Sequence, residues 1–351
     1  MSKSPLRFGI VGCGRISQRH AEQMAARGII TGVCDIVNAK AEQLATQYGA
    51  VAFTDLDSML LSEHRPDILA VCTPNGLHAQ QSIQALEHGC HVLCEKPMAI
   101  HYSDCEEMIG AAEKANRILY IVKQNRFNPP VLAVKKILDE GGLGKLYSVQ
   151  VNCFWNRPVE YFNDGWRGSL DLDGGCLYTQ FSHFLDLLIW MVGEPDEVFA
   201  ITNNAGHQNC IDFEDQGVVI LKFKNACIGN LHFTINSFAR NMEGSITLFG
   251  EKGTIKIGGE YLNTLEYQKM EGQEIRKLEK GNPANDYGHY TGSMSNHDKV
   301  YEKLVFAINE GMNLKNDCVG ASQTIRLIEK IYHSAFQNSN LKSKAEIKET
   351  T

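Results

Sequence analysis

Apolar residues in the first third of the chain fall in short unbroken runs, separated by stretches whose apolar positions recur at helical spacing. Leu6–Val11, Ile29–Cys34, Ile68–Cys72, His91–Cys94 and Ile118–Val122 read as strands, with a weaker one near Val51. Arg15–Arg27, Ala39–Tyr48, Leu77–Glu87 and Ser103–Ala115 read as the helices between them. Strands without polar alternation are buried on both faces, so this order predicts a parallel sheet covered on both sides. From about Lys145 the rhythm changes to consecutive strands, at Tyr147–Trp155, Val218–Phe223, Cys227–Ile235, Ser245–Phe249 and Thr254–Ile257. That pattern predicts an antiparallel or mixed sheet in an α+β domain. Helices are expected at about Tyr178–Met191, at 297–311 and at Ala321–Phe336, before a polar tail from about 338 that should fray. The expected division is one domain of residues 1–122 and a second of residues 123–351.

Composition narrows the class. A chain of 351 residues, 43% hydrophobic and 21% charged, is long enough for two cores. Its net charge of −7 argues against a nucleic-acid partner. The 11 cysteines include no CxxC pair, and Cys34, Cys72 and Cys94 sit inside strand-like runs, as reduced buried thiols of a cytoplasmic protein do. The opening MSKSPLRFGIVG enters its first strand too early for a signal peptide, and no apolar run reaches membrane-spanning length. Neither HxH nor HExxH occurs among the 12 histidines, so no metal is expected.

Candidate chemistry begins at Gly12-Cys13-Gly14-Arg15-Ile16-Ser17, between the first strand and the first helix. Glycine at 12 permits a tight turn, glycine at 14 lets a pyrophosphate approach the backbone, and the helix start offers unpaired N–H groups. Asp35 ends the second strand, where a carboxylate binds the adenine ribose 2′-hydroxyl. Ile36 follows it rather than arginine or serine, which favours NAD over NADP; Lys40 is the one nearby cation that could meet a 2′-phosphate. Thr73-Pro74-Asn75-Gly76-Leu77-His78 and Cys94-Glu95-Lys96-Pro97 end two further strands, on the side where open α/β sheets bind ligands. A lysine there can take a hydroxyl proton as hydride leaves carbon. The expected cofactor contacts are therefore Gly12, Gly14, Arg15, Ile16, Asp35, Thr73, Asn75, His78, Glu95 and Lys96.

At these spacings Gly12-x-Gly14-x-x-Ser17-x-x-His20, Thr73-Pro74-Asn75-x-x-His78 and Glu95-Lys96-Pro97 resemble the Gfo/Idh/MocA oxidoreductase family. The resemblance implies an α/β fold, with an N-terminal Rossmann dinucleotide-binding domain and a C-terminal α+β domain built on a large open mixed sheet. It implies Lys96 as catalytic base and His183 as its helper. Many members carry aspartate four residues before that histidine; this chain has Thr179. Asp186, one helical turn on, is a candidate to orient the His183 ring.

Three polar segments bear on the substrate. Lys123-Gln124-Asn125-Arg126 leaves the last strand of the first sheet. Phe154-Trp155-x-Arg157-Pro158-x-Glu160-Tyr161 and Trp166-Arg167-Gly168 offer aromatic faces and guanidinium forks. The stretch from Asn285 to His297 is glycine-punctuated and precedes a helix, where a phosphate could bind. With Ser182-His183-x-x-Asp186, these segments resemble one branch of the family, the UDP-N-acetyl-glucosaminuronate 3-dehydrogenases of surface-polysaccharide synthesis. That likeness implies oxidation of a C3 hydroxyl to a ketone. It adds Asn125, Trp166 and Arg167 to the cofactor contacts. Lys96, Lys123, Asn125, Arg157, Tyr161, Thr179, Gln180, His183, Tyr287, Ser293, Asn296 and His297 become substrate contacts. It also implies a homo-oligomer, dimer or tetramer, and 2-oxoglutarate as a candidate for recycling the cofactor. Another sugar or polyol dehydrogenase, a nucleotide-sugar ketoreductase, or a non-catalytic sugar sensor of the same fold stand as alternatives.

Overall fold

The structure, a computed structural model, describes residues 5–286 and 291–349, with side chains excepted at 286, 291 and 340–349. The chain divides into two compact units, Met1–Lys123 with His297–Ile325, and Gln124–Asn296 with Arg326–Thr351.

The first unit runs β1 (Leu6–Val11), α1 (Ser17–Ala25), β2 (Gly28–Cys34), α2 (Asn38–Tyr48), β3 (Val51–Phe53), α3 (Leu56–Leu61), β4 (Ile68–Val71), α4 (His78–Glu87), β5 (His91–Cys94), α5 (Tyr102–Ala115) and β6 (Leu119–Ile121). All six strands are parallel, in the order β3-β2-β1-β4-β5-β6. This is the doubly wound Rossmann order, and it reverses between β1 and β4, where such sheets place their ligands. Ile10, Ile68, Leu69, Ala70, Val71 and Val92 are fully buried, as unbroken apolar strands require.

The second unit contains α6 (Pro129–Asp139), β7 (Leu146–Phe154), α7 (Cys176–Thr179), α8 (Ser182–Val192), β8 (Pro195–Asn203), β9 (Gln216–Phe223), β10 (Ile228–Thr234), β11 (Glu243–Gly250), β12 (Gly253–Gly258), β13 (Thr264–Met270), β14 (Ala284–Asp286) and β15 (Thr291–Met294). Strands β7 to β13 form one sheet in the order β13-β12-β11-β7-β10-β9-β8. Its pairs are antiparallel except β7 with β10, so the sheet is mixed. Strict alternation sets its two faces. Val219, Leu221, Leu231 and Phe233 point into a core shared with Trp155, Phe181 and Phe184 of the same unit. Phe199, Ile201, Val218, Ile220 and Ile228 point outward and stay exposed. The chain then forms α9 (His297–Glu310) and α10 (Lys315–Glu349).

Helix α3 and strands β8 and β13 add elements to the sequence reading, and four further features depart from it. Residues 297–325 group with the first unit, whereas the expected division gave everything after 122 to the second. The helix expected at Tyr178–Met191 is interrupted at Gln180 and Phe181, between α7 and α8. Helix α6 stands where the periodicity predicts none, although Pro129 and Pro130 suit a helix start, and Val131 and Val134 are buried. Finally, α10 continues to Glu349 through lysine, alanine and glutamate, good helix formers that extend the backbone beyond the expected fraying point.

Candidate active site

In the first unit the turn after β1 is built for close approach. Gly12 has φ +89°, and a Cβ there would lie 2.7 Å from the Cys72 carbonyl, so no other residue fits. A Cβ at Gly14 would meet nothing within 4 Å. That open space is where a pyrophosphate can reach the backbone. Helix α1 begins without a side-chain cap and without an acidic residue in its first turn, which leaves its N–H groups and positive dipole end for an anion. Ser17, standing for a third glycine, is buried and donates its hydroxyl to the Gly14 carbonyl at 2.6 Å. The Asp35 carboxylate accepts N–H bonds from Cys13 and Val37, both at 2.8 Å, which fixes its direction at the end of β2. These residues fit NAD: they would hold its pyrophosphate and adenine ribose.

The two strand-end motifs are tied to each other. The His78 ring nitrogens lie 2.7 Å from the Pro97 carbonyl and 2.9 Å from the Thr73 carbonyl, and burial keeps this imidazole below its usual pKa. His78 therefore braces the two loops. Thr73 donates to Gln81 at 2.6 Å. Asn75 is 4% exposed at the start of the 3₁₀ turn Asn75–Leu77. Glu95 points inward to His20 and His297 of the same unit, at 2.8 and 3.3 Å. Burial works to raise the Glu95 pKa, but the two histidine N–H bonds hold it well below the usual carboxylate range. Lys123, expected on substrate, sends its ammonium to the Asp317 carbonyl at 3.2 Å.

In the second unit His183, the expected helper, is buried beside Gln124. The Gln124 amide lies 3.3 Å from His183 Nε2, and with the amide donating, that nitrogen is the acceptor. Gln124 Oε1 and both amide atoms of Asn125 are buried without a partner, which marks this turn as a place for a polar ligand. Asn296, expected on substrate, braces the same turn by donating to the Gln124 carbonyl at 3.1 Å and to Asn128 at 2.8 Å. Asp186, the candidate to orient His183, is gripped by Arg126 in a two-pronged pair at 2.7 and 2.8 Å. Thr179 donates to the buried Asp173 carboxylate, which also accepts the Gly168 N–H at 2.8 Å.

The guanidinium forks are embedded. Arg157, 3% exposed, donates to Gln180 at 3.0 Å, Asn241 at 3.2 Å and the Asn156 carbonyl at 2.6 Å. It lies over Trp155 and Tyr161, and Arg167 lies over Tyr161 and Trp166 while pairing with Asp164. Gln180 in turn donates to the Tyr161 hydroxyl at 3.3 Å. Ser293 is 9% exposed, and its carbonyl accepts from Asn285 at 2.9 Å. His297, also expected on substrate, belongs to the first unit and is 2% exposed. Tyr287 lies outside the described residues.

Two family descriptions match the chain: the oxidoreductase family with an NAD-binding Rossmann fold over residues 6–123, and the Gfo/Idh/MocA C-terminal domain over residues 131–256. The chain resembles the WlbA dehydrogenase of Bordetella pertussis, solved in complex with NADH and UDP-GlcNAcA, at 33% identity and TM-score 0.85, over 95% of this chain and 97% of that one. It resembles the WlbA dehydrogenase of Chromobacterium violaceum, also solved with NADH and UDP-GlcNAcA, at 32% identity and TM-score 0.87, over 96% of each. D-glucoside 3-dehydrogenase of Escherichia coli is 31% identical over 201 residues, which span 56% of either chain. The fold and the nucleotide turn define a dinucleotide-dependent oxidoreductase. The chain belongs to the Gfo/Idh/MocA family and is an NAD-dependent sugar oxidoreductase. Among the described residues no helix is long and apolar enough to cross a membrane.

Proposed function

We propose that this enzyme oxidises the C3 hydroxyl of UDP-N-acetyl-glucosaminuronate to the 3-keto sugar, in the cytoplasmic synthesis of a surface-polysaccharide precursor. The observation that carries the reading is the Gln124–Asn125 turn beside His183, whose buried amide atoms lack partners, in a chain alike over nearly its whole length to dehydrogenases solved with this sugar nucleotide. Bound NAD supplies the hydride acceptor for the carbon being oxidised. Lys96 takes the proton released by the hydroxyl as the carbonyl forms. His183, with its Nε2 set by Gln124, holds the sugar, and the Asn125 amide supplies one donor and one acceptor to a ligand. The embedded Arg157 contributes fixed positive charge toward the uronate and diphosphate without needing a net basic protein, and Arg167, paired with Asp164, presents its guanidinium edge.

The exposed row Phe199, Ile201, Val218, Ile220 and Ile228 supports a homo-oligomer, since so much apolar surface on one sheet face is costly in a monomer. Sedimentation of the purified protein decides that point. Reoxidation of bound NADH by 2-oxoglutarate is part of the same reading, and the loss of NADH absorbance on its addition tests it. The E. coli relative favours a second reading, a free glucoside as the substrate with the same carbon oxidised. Initial rates with UDP-N-acetyl-glucosaminuronate, UDP-N-acetylglucosamine, free N-acetylglucosamine and a methyl D-glucoside separate the two. The first should be turned over best, because binding of the remote end holds the hydroxyl in place. Comparable turnover of the free sugar, or none of the uronate, contradicts the assignment.

A further inference from the structure

A buried carboxylate held by buried side-chain donors is an expensive feature, because apolar residues of similar volume would usually be as stable. Glu95 is such a group, one residue before Lys96 at the end of β5. Its two side-chain partners, His20 and His297, and the tyrosine that orients His20 arrive from distant parts of the chain. The Tyr301 hydroxyl lies 2.8 Å from His20 Nδ1, across 281 residues of sequence. Burial lowers the His20 pKa, so the ring is neutral; with Tyr301 donating to Nδ1, its one N–H is at Nε2 and donates to Glu95 Oε1 at 2.8 Å. His297 Nε2 donates to the same oxygen at 3.3 Å, across 202 residues. The second oxygen accepts the Lys96 backbone N–H at 3.1 Å. The rings lock one another edge to face, with His20 centroids 5.3 Å from His297 and 5.6 Å from Tyr301. All four side chains belong to the first unit.

We propose that His297, His20 and Tyr301 are positioning residues, which hold the Glu95 carboxylate against the Lys96 backbone and thereby set where the lysine stands. The proposal rests on the reading of Lys96 as the base. The ligating atoms of His20, Glu95 and His297 lie within 4.8 Å of one another, a spacing a metal ion could use. The 2.8 Å separation of His20 and Glu95 is that of a charge-assisted hydrogen bond, and the Tyr301 bond fixes the proton that makes it. Adjacent residues also divide their tasks: Asn296 braces the Gln124 turn within the second unit, and His297 braces Glu95 within the first.

The test is a double-mutant cycle on the full-length enzyme, with kcat and the KM for NAD measured on the best sugar of the substrate panel. His297→Leu should lower kcat roughly 10–100-fold, the scale of an ångström-level misplacement, while the KM for NAD changes less than about twofold. His297→Gln, which restores an N–H near the Nε2 position, should recover most of the loss. Tyr301→Phe should lower kcat in the same direction, and it carries the test if His297→Leu does not fold. In the Lys96→Met background neither change should cause further loss, because residues acting through the lysine are not additive with it. Equal fractional losses in both backgrounds, no recovery with glutamine, or one metal ion per chain in the purified enzyme would overturn the proposal. A Lys96→Met enzyme that keeps more than about a tenth of its turnover would instead sink the base assignment.

Discussion

Glu95 in the first unit and Glu214 in the second are equally hidden from solvent, each 7% exposed, and their protons behave in opposite ways. Burial pushes both toward the neutral acid. At Glu214 it succeeds: the Tyr332 hydroxyl donates at 2.8 Å, but the Asp173 carboxylate adds repulsion, and the pKa is pushed up to about 8. At Glu95 it fails, because two histidine N–H groups hold the carboxylate ionised. Depth therefore does not decide the charge; the donors do. The contrast also separates a structural acid, neutral at pH 7, from an anion kept beside Lys96, the proposed base. Environments that drive two acids apart are a mark of assigned roles.

The largest effect expected from this contrast is on stability against pH. A raised folded pKa means stability fully present below the unfolded value near 4.5 and lost as pH climbs through about 8. Across that window Glu214 should withdraw on the order of 4–5 kcal/mol from the unit that holds it. Urea unfolding at pH 5, 7 and 9 should show the wild type falling relative to Glu214→Gln as pH rises; parallel curves would mean the glutamate is not protonated at neutral pH. Glu95 has the reverse sign. Its folded pKa is depressed, so its contribution is present above the unfolded value and is lost as pH falls through the lower folded one. Glu95→Gln should cost about 2–3 kcal/mol at pH 7, since an amide cannot accept all three N–H bonds. The same urea series detects it, and an unchanged midpoint breaks the contrast. A smaller effect belongs to Asp35, a half-buried carboxylate aimed by Cys13 and Val37. Asp35→Ala should weaken NAD by roughly 1–3 kcal/mol in a fluorescence titration, and the unmodified protein should bind NADP more weakly than NAD. Tighter NADP binding would reverse the cofactor assignment.

What could be read from the sequence was local. The Gly12–Ser17 turn, Asp35 at the end of β2, and Glu95-Lys96-Pro97 at the end of β5 are contiguous, and strand–helix alternation alone placed them at one end of a parallel sheet. What escaped is held by distant partners. The pairing of Gln124 with His183 spans 59 residues, and Glu95 with His297 spans 202, so no window of sequence contains both. His20 did stand in the opening motif, but only folding reveals that it faces a carboxylate rather than the cofactor turn. Arg157 and Asn296 show the converse: residue types suited to gripping a ligand turned out to be engaged by Gln180, Asn241, Asn128 and the Gln124 carbonyl.

Removal of hydride from one carbon of one sugar is tested most directly by an isotope. UDP-N-acetyl-glucosaminuronate carrying deuterium at C3 should pass that deuteron to the nicotinamide C4, giving deuterated NADH by NMR and a slower single-turnover rate. Unlabelled NADH formed from the same substrate would mean that another carbon is oxidised, and the placement of the C3 hydroxyl at Lys96 would fall.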